Sequence, residues 1–493
     1  MRRGSFRRRA TRICAVELRF YNSYSRQIED FRPIEPGKVR MYHCGPTVYQ
    51  RPHIGNYRAF LFADLLRRVF EAYGFEVQQV MNLTDVGHLL NDADEGEDKL
   101  EAQARKDQVD PWQIVETVSQ QFFADLDALG VRPAHHYPRA SDHIPEMVTI
   151  IEALIEKGHA YRVGDNVYFD VSTFPRYGQL SGNKVEELEA GARLEINEEK
   201  RHPADFALWK SDPKHIMKWA TVFGEHGFPG WHIECSAMAE KYLGKHFDIH
   251  TGGEDNVFPH HECEIAQSEA ANEQTFVNLW MHTRFLQVDG GKMSKSLGNV
   301  YSLDDLAERG YSAWDYRFLV LRGHYRTQVN FTWEILRSAK ESRAKLADWR
   351  SRLQAAMRGG AADSPASIGA VTTARQAFDA AIADDLNTPE AVAALFTLRN
   401  ELVHAGETGT GTSEAALALL DHADAVLGLF EPTADASEDP NALSDAQVEA
   451  LIAERAEVRA AKNWARADEI RDALQAAGIV LEDTASGVHW HRS

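Results

Sequence analysis

The stretch that decides the fold runs from residue 39 to residue 82. It opens with Val39-Arg40-Met41-Tyr42-His43-Cys44, a run that reads as a strand and is broken by Gly45-Pro46. Phe62, Leu65, Leu66, Val69, Phe70 and Tyr73 then recur at helical spacing and form one apolar stripe, with Gly74 as the stop. Phe75 to Met81 is rich in β-formers and reads as a second strand. Strand, helix and strand in this order make a βαβ unit, so the two strands are expected to lie parallel in one sheet.

Outward from this unit the pattern changes twice. From about residue 145 to 225 the chain mixes a helix (Ile144 to Lys157), short strands around Tyr161 to Val171, and acidic loops. This reads as an insertion between two halves of a larger domain. The sheet pattern resumes after Trp231, with Phe247-Asp248-Ile249-His250 before Gly252-Gly253, and Phe285-Leu286-Gln287-Val288 before the turn signal Asp289-Gly290-Gly291. Beyond residue 332 the chain reads as all-helical. Thr388 is expected to cap a helix that has Pro389 at its first position and buries Val392, Leu395, Phe396, Leu402 and Val403. Gly359 to Gly369 and Glu431 to Asn441 read as linkers. A last unit starts at the capping box Ser444-Asp445-Ala446-Gln447. It holds two helices, broken near Lys462-Asn463 or continuous, and an extended tail ending in Val488-His489-Trp490.

A chain of 493 residues is too long for one hydrophobic core. No apolar stretch approaches the length that spans a bilayer. The formal net charge of −20 argues against general affinity for nucleic acid, so an RNA partner has to be met by local basic patches. The four cysteines, Cys14, Cys44, Cys235 and Cys263, form no CxxC pair, which excludes a disulfide scaffold and a compact zinc ribbon. Taken singly, each is a small buried residue. The first twelve residues hold six arginines and no acid. Lacking an apolar core they are not a secretory signal; they read as a basic extension, with a transit peptide or an RNA-binding arm as the alternatives.

Two motifs carry chemistry on opposite halves of the expected sheet domain. His53-Ile54-Gly55-Asn56 opens the crossover helix. Gly55 lets backbone approach a ligand closely, and the helix N-terminus offers N–H groups to phosphate. His53 and Asn56, three apart, are expected to face the same anion. Lys292-Met293-Ser294-Lys295-Ser296 follows the Asp-Gly-Gly turn. Its two lysines, on a glycine-flanked loop, suit the charge that develops on a departing pyrophosphate. Each motif alone is a surface feature; together they resemble the signature pair of class I aminoacyl-tRNA synthetases.

Further segments narrow the resemblance. These are Tyr42-His43-Cys44-Gly45-Pro46-Thr47-Val48-Tyr49, Gly230 to Met238 around Trp231-His232-Ile233-Glu234-Cys235, and Phe258 to Gln267 around His260-His261-Glu262-Cys263-Glu264. With Asp384 to Pro389 and the tail Ala465 to Arg471, they resemble the cysteinyl-tRNA synthetase family from about residue 17 onward. The resemblance implies an α/β fold: a Rossmann-like parallel-sheet catalytic domain in two halves (17–140 and 226–300) around a connective insertion (141–225). A stem-contact region (301–335), a helical bundle (336–432) and a small C-terminal anticodon-binding domain (440–493) complete it, behind the basic extension 1–16. It also implies one zinc per subunit on Cys44, Cys235, His260 and Glu264. On a helix, His260 and Glu264 would share a face, and thiolate, imidazole and carboxylate are a normal zinc set. Cys263, in the same segment, is expected to lie outside it.

The activity implied is ligation of L-cysteine to tRNA-Cys through cysteinyl-adenylate, with ATP and Mg2+. The substrate thiol, of free pKa roughly 8.5, ionises on zinc, whereas serine's hydroxyl is a harder and poorer ligand. By the same resemblance His53, Gly55, Asn56, Lys292 and Lys295 bind ATP, and the tRNA's 2′-hydroxyl reacts first. Trp231 walls the side chain, and Asp255 and Thr84 meet the substrate's amino group and nearby backbone. A cytoplasmic monomer without a membrane association is the corresponding expectation. Two departures stand out. The family's first motif ends in histidine where this chain has Asn56, and Asn82-Leu83-Thr84-Asp85-Val86-Gly87-His88 with the acidic run 92–98 replaces a TDxDDKI segment. Two rivals remain: a small-molecule cysteine ligase of the mycothiol type, which lacks the RNA-reading tail, and a non-catalytic RNA-binding paralogue disabled at Asn56. Arg455, Arg459, Lys462, Arg466 and Arg471 in the tail suit an RNA stem or a solvated face.

Overall fold

A computed structural model describes residues 17–87, 99–184, 198–294, 297–359, 362–406, 409–432, 445–460, 463–476, 479–484 and 487–492. The extension 1–16, the acidic run 92–98, most of the second expected linker, Ser444, Lys462 and Lys295 lie outside them.

The expected crossover unit is present. A short hairpin, β1 (Arg19–Asn22) and β2 (Gln27–Asp30), precedes β3 (Lys38–His43), α1 (Ile54–Ala72) and β4 (Glu76–Met81). β3 and β4 pair in parallel from Lys38↔Glu76 to His43↔Met81. Phe62, Leu65, Leu66, Val69 and Phe70 are buried along α1, as the stripe requires. Phe70 meets Phe20, Phe31 and Phe75 in tilted and edge-on contacts, closing the core beneath the sheet.

The chain then leaves the sheet through α2 (Lys99–Asp107), α3 (Pro111–Ala128) and α4 (Ile144–Glu156). The insertion folds as an antiparallel five-stranded sheet from β5 (Ala160–Val163), β6 (Asn166–Phe169), β7 (Phe206–Ser211), β8 (Trp219–Thr221) and β9 (Gly224–Pro229), in the order β5-β6-β7-β9-β8. β9 runs across the boundary drawn at residue 225, because its last three residues pair with β7. α5 (Trp231–Leu243), β10 (Phe247–Gly253), α6 (Glu262–Asn272) and β11 (Val277–Thr283) then return to the first sheet. Its order is β11-β10-β3-β4, all parallel. The connection after β3 runs outward to β4 and the one after β10 runs the other way to β11, so the strand order reverses between β3 and β10 and a crevice opens at their carboxyl ends, where α/β sheets place ligands.

β12 (Leu286–Val288) and β13 (Gly291–Lys292) form a hairpin whose two loop residues, Asp289 and Gly290, both have positive φ (50° and 77°). This is the turn that a two-residue hairpin favours. The first lysine of the KMSKS segment is thus part of a strand, not of a free loop. α7 (Leu303–Glu308), α8 (Ala313–Leu321) and β14 (Val329–Phe331) follow, with β14 parallel to β12. Arg58 of α1, 2% exposed, donates to the carbonyls of Arg284, Phe285, His324, Tyr325 and Thr327, stitching the first motif's helix to the hairpin region.

The helical part comprises α9 (Trp333–Gly359), α10 (Pro365–Ala383), α11 (Thr388–Ala405) and α12 (Thr410–Leu427). The cap of α11 is Asn387 rather than Thr388: its side chain accepts from the Glu390 N–H, and Thr388 is already helical. Asparagine caps at least as well as threonine, which is why the start moves back one residue. Leu398 is buried in the stripe of α11 whereas Val403 is half exposed. α10 begins at Pro365, so the first linker is shorter than the glycines suggest. Asp384-Asp385-Leu386 joins α10 to α11. Asp385 accepts from the Tyr21 N–H, the Tyr325 hydroxyl and Arg326, anchoring the helical part to the sheet-bearing part. The last unit has α13 (Asp445–Ala460) and α14 (Trp464–Ala476), two helices rather than one, followed by the hairpin β15 (Ile479–Thr484) and β16 (Gly487–Arg492). Among the described residues, no helix is long and apolar enough to cross a membrane.

Candidate active site

The site forms where four chain segments reach the crevice. Cys44 follows the last residue of β3, held by its N–H to the Thr251 carbonyl of β10. Gly45 permits this: a Cβ there would lie 1.7 Å from the Asn82 carbonyl oxygen. Cys235 is on the second turn of α5, whose cap residue, Gly230, passes so close to Ala207 that a Cβ would meet its carbonyl oxygen at 2.0 Å. His260 lies in a single π-turn, Val257–His261, and Glu264 in the first turn of α6. One ligand atom from each of Cys44, Cys235, His260 and Glu264 lies within 4.8 Å of the other three. Cys44 is partly exposed; the other three are buried.

The geometry around the four is compatible with a metal site. Oε1 of Glu264 is buried and accepts no hydrogen bond, although Nε2 of His260 is 3.0 Å away. Nδ1 of His260 faces Nδ1 of His232 at 3.1 Å, which leaves Nε2 turned to the centre. Behind these lies a second layer that overlaps the first. His250 Nε2 is 2.9 Å from Glu264 Oε2, and His261 Nε2 is 3.2 Å from Cys44 Sγ. Cys44, His250, His261 and Glu264 also converge within 4.8 Å. Sequence reasoning missed His232, His250 and His261. The only available signal was their position in segments already singled out, since no spacing links β10 to α6.

The electrostatics match. Burial alone would raise the carboxyl of Glu264, but His250 and His260 hold it down at about 2. Burial works against the charged form of His260 as well, yet Glu264 and Cys235 raise it well above the ordinary histidine value. Burial pushes the Cys44 thiol up, while Cys235 is lowered because Cys44 and His260 donate to it. Negative ligand atoms are thus gathered in a dry place and neutralised by shared protons, and a divalent cation would replace those protons. Cys263 is elsewhere: it is fully buried with its Sγ 3.4 Å from the Tyr177 hydroxyl.

Trp231 stacks on His260 with ring centroids 4.4 Å apart and so borders the centre. Asp255 is exposed in a short turn, Glu254–Asn256, directly after β10. Thr84 is 3% exposed; its hydroxyl donates to Glu234 and accepts from the Asn82 amide. It therefore buttresses α5 from behind.

The two phosphate-type motifs meet. His53 caps α1, and the Asn56 side-chain oxygen accepts from the His53 N–H at 3.0 Å. Asn56 therefore closes the first turn on itself instead of standing beside His53, and its amide NH2 is the part left to donate outward. Met293 packs on Gly55 so closely that a Cβ there would lie 2.1 Å from its terminal methyl carbon. Lys292 is exposed, and Asn299 brackets the segment by accepting from the Ser294 N–H and donating to the Lys292 carbonyl. In the last unit Arg466 and Arg471 are engaged by acids, Glu454 and Glu469 for the one, Asp468 and Asp472 for the other.

A parallel sheet with this crevice, at which the two phosphate-type motifs meet, is the arrangement expected of a class I aminoacyl-tRNA synthetase, and the profile match shows that class. Residues 30–341 match the family profile "tRNA synthetases class I (C) catalytic domain", residues 377–431 a DALR domain, and residues 443–490 the "Cysteinyl-tRNA ligase anticodon binding domain". The chain belongs to the cysteine–tRNA ligase family. It is 44% identical to the cysteine–tRNA ligase of Deinococcus radiodurans over 96% of this chain and 97% of that protein. It is 45% identical to that of Symbiobacterium thermophilum over 97% and 100%. Against the Thermus thermophilus protein the identity is 44%, over 96% and 99%. A solved structure of Mycobacterium tuberculosis methionyl-tRNA synthetase with methionyl-adenylate shares the fold, with TM-score 0.58 and 14% identity over 79% of this chain and 89% of that one.

Proposed function

We propose that this chain joins L-cysteine to tRNA-Cys in two steps, through cysteinyl-adenylate, and that a zinc ion on Cys44, Cys235, His260 and Glu264 selects the amino acid. The observation that carries this is the convergence of those four side chains beside Trp231, with a buried carboxylate oxygen that accepts no hydrogen bond. Two thiols, an imidazole and a carboxylate suit zinc better than calcium or magnesium, which prefer oxygen. When bound, the ion supplies a soft Lewis-acid contact that favours a substrate thiolate over a hydroxyl.

The remaining work belongs to the chain. Trp231 walls the small side chain, and Asp255, exposed at the rim, meets the substrate ammonium. Thr84 acts by holding Glu234 and α5 in place. The N-terminus of α1, with Gly55, takes the phosphates of ATP-Mg2+, and His53 and the Asn56 amide donate to them. Lys292 and Lys295 stabilise the departing pyrophosphate as the carboxylate attacks the α-phosphate. The terminal ribose hydroxyl of the tRNA then takes the acyl group. The match at residues 443–490 favours this reading over a small-molecule cysteine ligase.

Cysteine-dependent ATP–pyrophosphate exchange followed by charging of tRNA-Cys tests the proposal. Zinc-loaded protein is expected to do both. Absence of exchange would refute it, and exchange without charging would place the chain with the small-molecule ligases.

A further inference from the structure

The start of α1 is held by more of the chain than Met293. The N–H of Ile54 donates to the Tyr301 carbonyl at 2.9 Å, and the Ile54 carbonyl accepts from the Tyr316 hydroxyl at 2.5 Å. Met293, Tyr301 and Tyr316 thus bring the segment from β13 to α8 against the first turn of α1 through uncharged contacts. A charged contact stands just upstream of them, on Arg51, two residues before His53.

Arg51 is shared between two carboxylates in unlike surroundings. Its Nε and Nη2 donate to Asp125 at 2.8 and 2.6 Å. Its Nη1 and Nη2 donate to Asp304, the Nη2 contact at 3.0 Å. Asp125, on α3, is 3% exposed and also accepts from the Tyr57 hydroxyl of α1. Asp304 lies in the first turn of α7, shortly after Ser296, and keeps 67% of its side chain exposed. The buried half therefore sets the guanidinium fork in place, and the exposed half docks on it. An exposed ion pair adds little to stability and is screened by salt. Breaking this one costs the fold little but frees α7 from the entry to α1. Four hydrogen bonds to carboxylates occupy Arg51, so it is not itself a phosphate ligand. It sets where one motif stands relative to the segment that leaves the other. On the function proposed above the triphosphate is held from both motifs at once, and a small misplacement of such groups lowers the rate steeply.

We propose that Arg51 and Asp304 are positioning residues for adenylate formation: Asp125 anchors Arg51, and Arg51 holds the segment after Lys292-Met293-Ser294-Lys295-Ser296 in register with the start of α1. This inference rests on the ligase reading above and assigns to it a pair of residues outside both motifs.

The full-length, zinc-loaded protein is compared with Asp304→Asn, Asp304→Glu, Arg51→Gln and the R51Q/D304N double variant in cysteine-dependent ATP–pyrophosphate exchange. Asp304→Asn is expected to lower kcat/KM for ATP about tenfold. The KM for cysteine and the zinc content are expected to stay unchanged, and the thermal midpoint to move by no more than about 2 °C. Asp304→Glu, which keeps the charge, is expected to recover most of the loss, and the gap between the unaltered chain and Asp304→Asn to narrow as salt is raised. Arg51→Gln and the double variant are expected to be equally impaired, because one contact can be lost only once. Unchanged ATP parameters in Asp304→Asn would overturn the inference. So would equal losses for ATP and cysteine, or a glutamate variant no better than the asparagine. Should Arg51→Gln fail to fold, the two Asp304 variants decide the matter alone. Absence of exchange in the unaltered chain would strike the ligase reading itself, and this inference would fall with it.

Discussion

Two buried polar clusters in this molecule are built from similar materials and end in opposite states. Around Asp64, every demand is met from within. Its carboxylate accepts from Arg317, Arg68 and the Arg132 N–H, and Arg317 spends its other donors on the carbonyls of Leu129, Leu427 and Gly428. Around Glu264 the same kind of carboxylate faces imidazoles and thiols, yet one oxygen accepts nothing and several ring nitrogens face each other. The first cluster is finished when the chain folds. The second, on the function proposed above, is completed by a metal ion. A buried polar group with its partners supplied is architecture, whereas one left short marks a place to search for a ligand.

The contrast can be broken experimentally at several points. The largest effect is expected at the closed cluster. Arg317→Met removes one of the two guanidinium partners of Asp64 and leaves the carbonyls of Leu129, Leu427 and Gly428 without that donor, and should lower unfolding free energy by about 3 kcal/mol, measured by urea or thermal denaturation, with no loss of bound metal. The same pair sets an acid limit. Burial opposes ionisation of Asp64, but Arg317 and Arg68 hold its carboxyl below the usual value. The stability this confers is present above the ordinary aspartate pKa of about 3.9 and is lost as pH falls through the depressed folded value. Asp64→Asn should therefore flatten the acid limb of a stability–pH curve; an unchanged limb would separate the network from acid unfolding.

At the open cluster the signs reverse. Cys235→Ser should abolish zinc binding in elemental analysis and reduce cysteine-dependent exchange at least about a hundredfold, while metal-free stability changes little. Retained metal with normal exchange would remove the distinction between the clusters. A smaller effect is expected where Met293 packs on Gly55. Gly55→Ala forces the flexible methionine to move and should raise the KM for ATP several-fold, about 1 kcal/mol of binding, with cysteine affinity unchanged. Smallest is Asn56→His, which restores the family residue; kcat for exchange is expected to stay within about threefold, since Asn56 already closes the first turn.

Legibility in the sequence followed the range of the interactions. The crossover unit from β3 to β4 was readable because strand, stripe and glycine stop are local. The Asp289-Gly290 turn was readable for the same reason. The helix start at Asn387 was one residue off, because two good caps stand side by side and only tertiary position chooses between them. Cys44, Cys235, His260 and Glu264 were reached through resemblance, and their convergence was not deducible from spacing across more than two hundred residues. His250 and His261 went unread, since a histidine in a buried strand or behind a ligand carries no periodic signal. Asn56 was read as a departure, but its use as a cap depends on where one amide points.

The insertion of an antiparallel sheet between β4 and β10 has a consequence for synthesis. β3 and β4 are complete once residue 81 has been made, but β10, the strand beside β3, ends only at Gly253. For the time needed to translate the intervening segment, about 10–30 s at 5–20 residues per second, the nascent chain carries a half-built sheet with one bare edge. Cys44 waits beside that edge throughout. The last of its three companions to emerge is Glu264, so the proposed metal centre can be completed only after the sheet's centre is sealed.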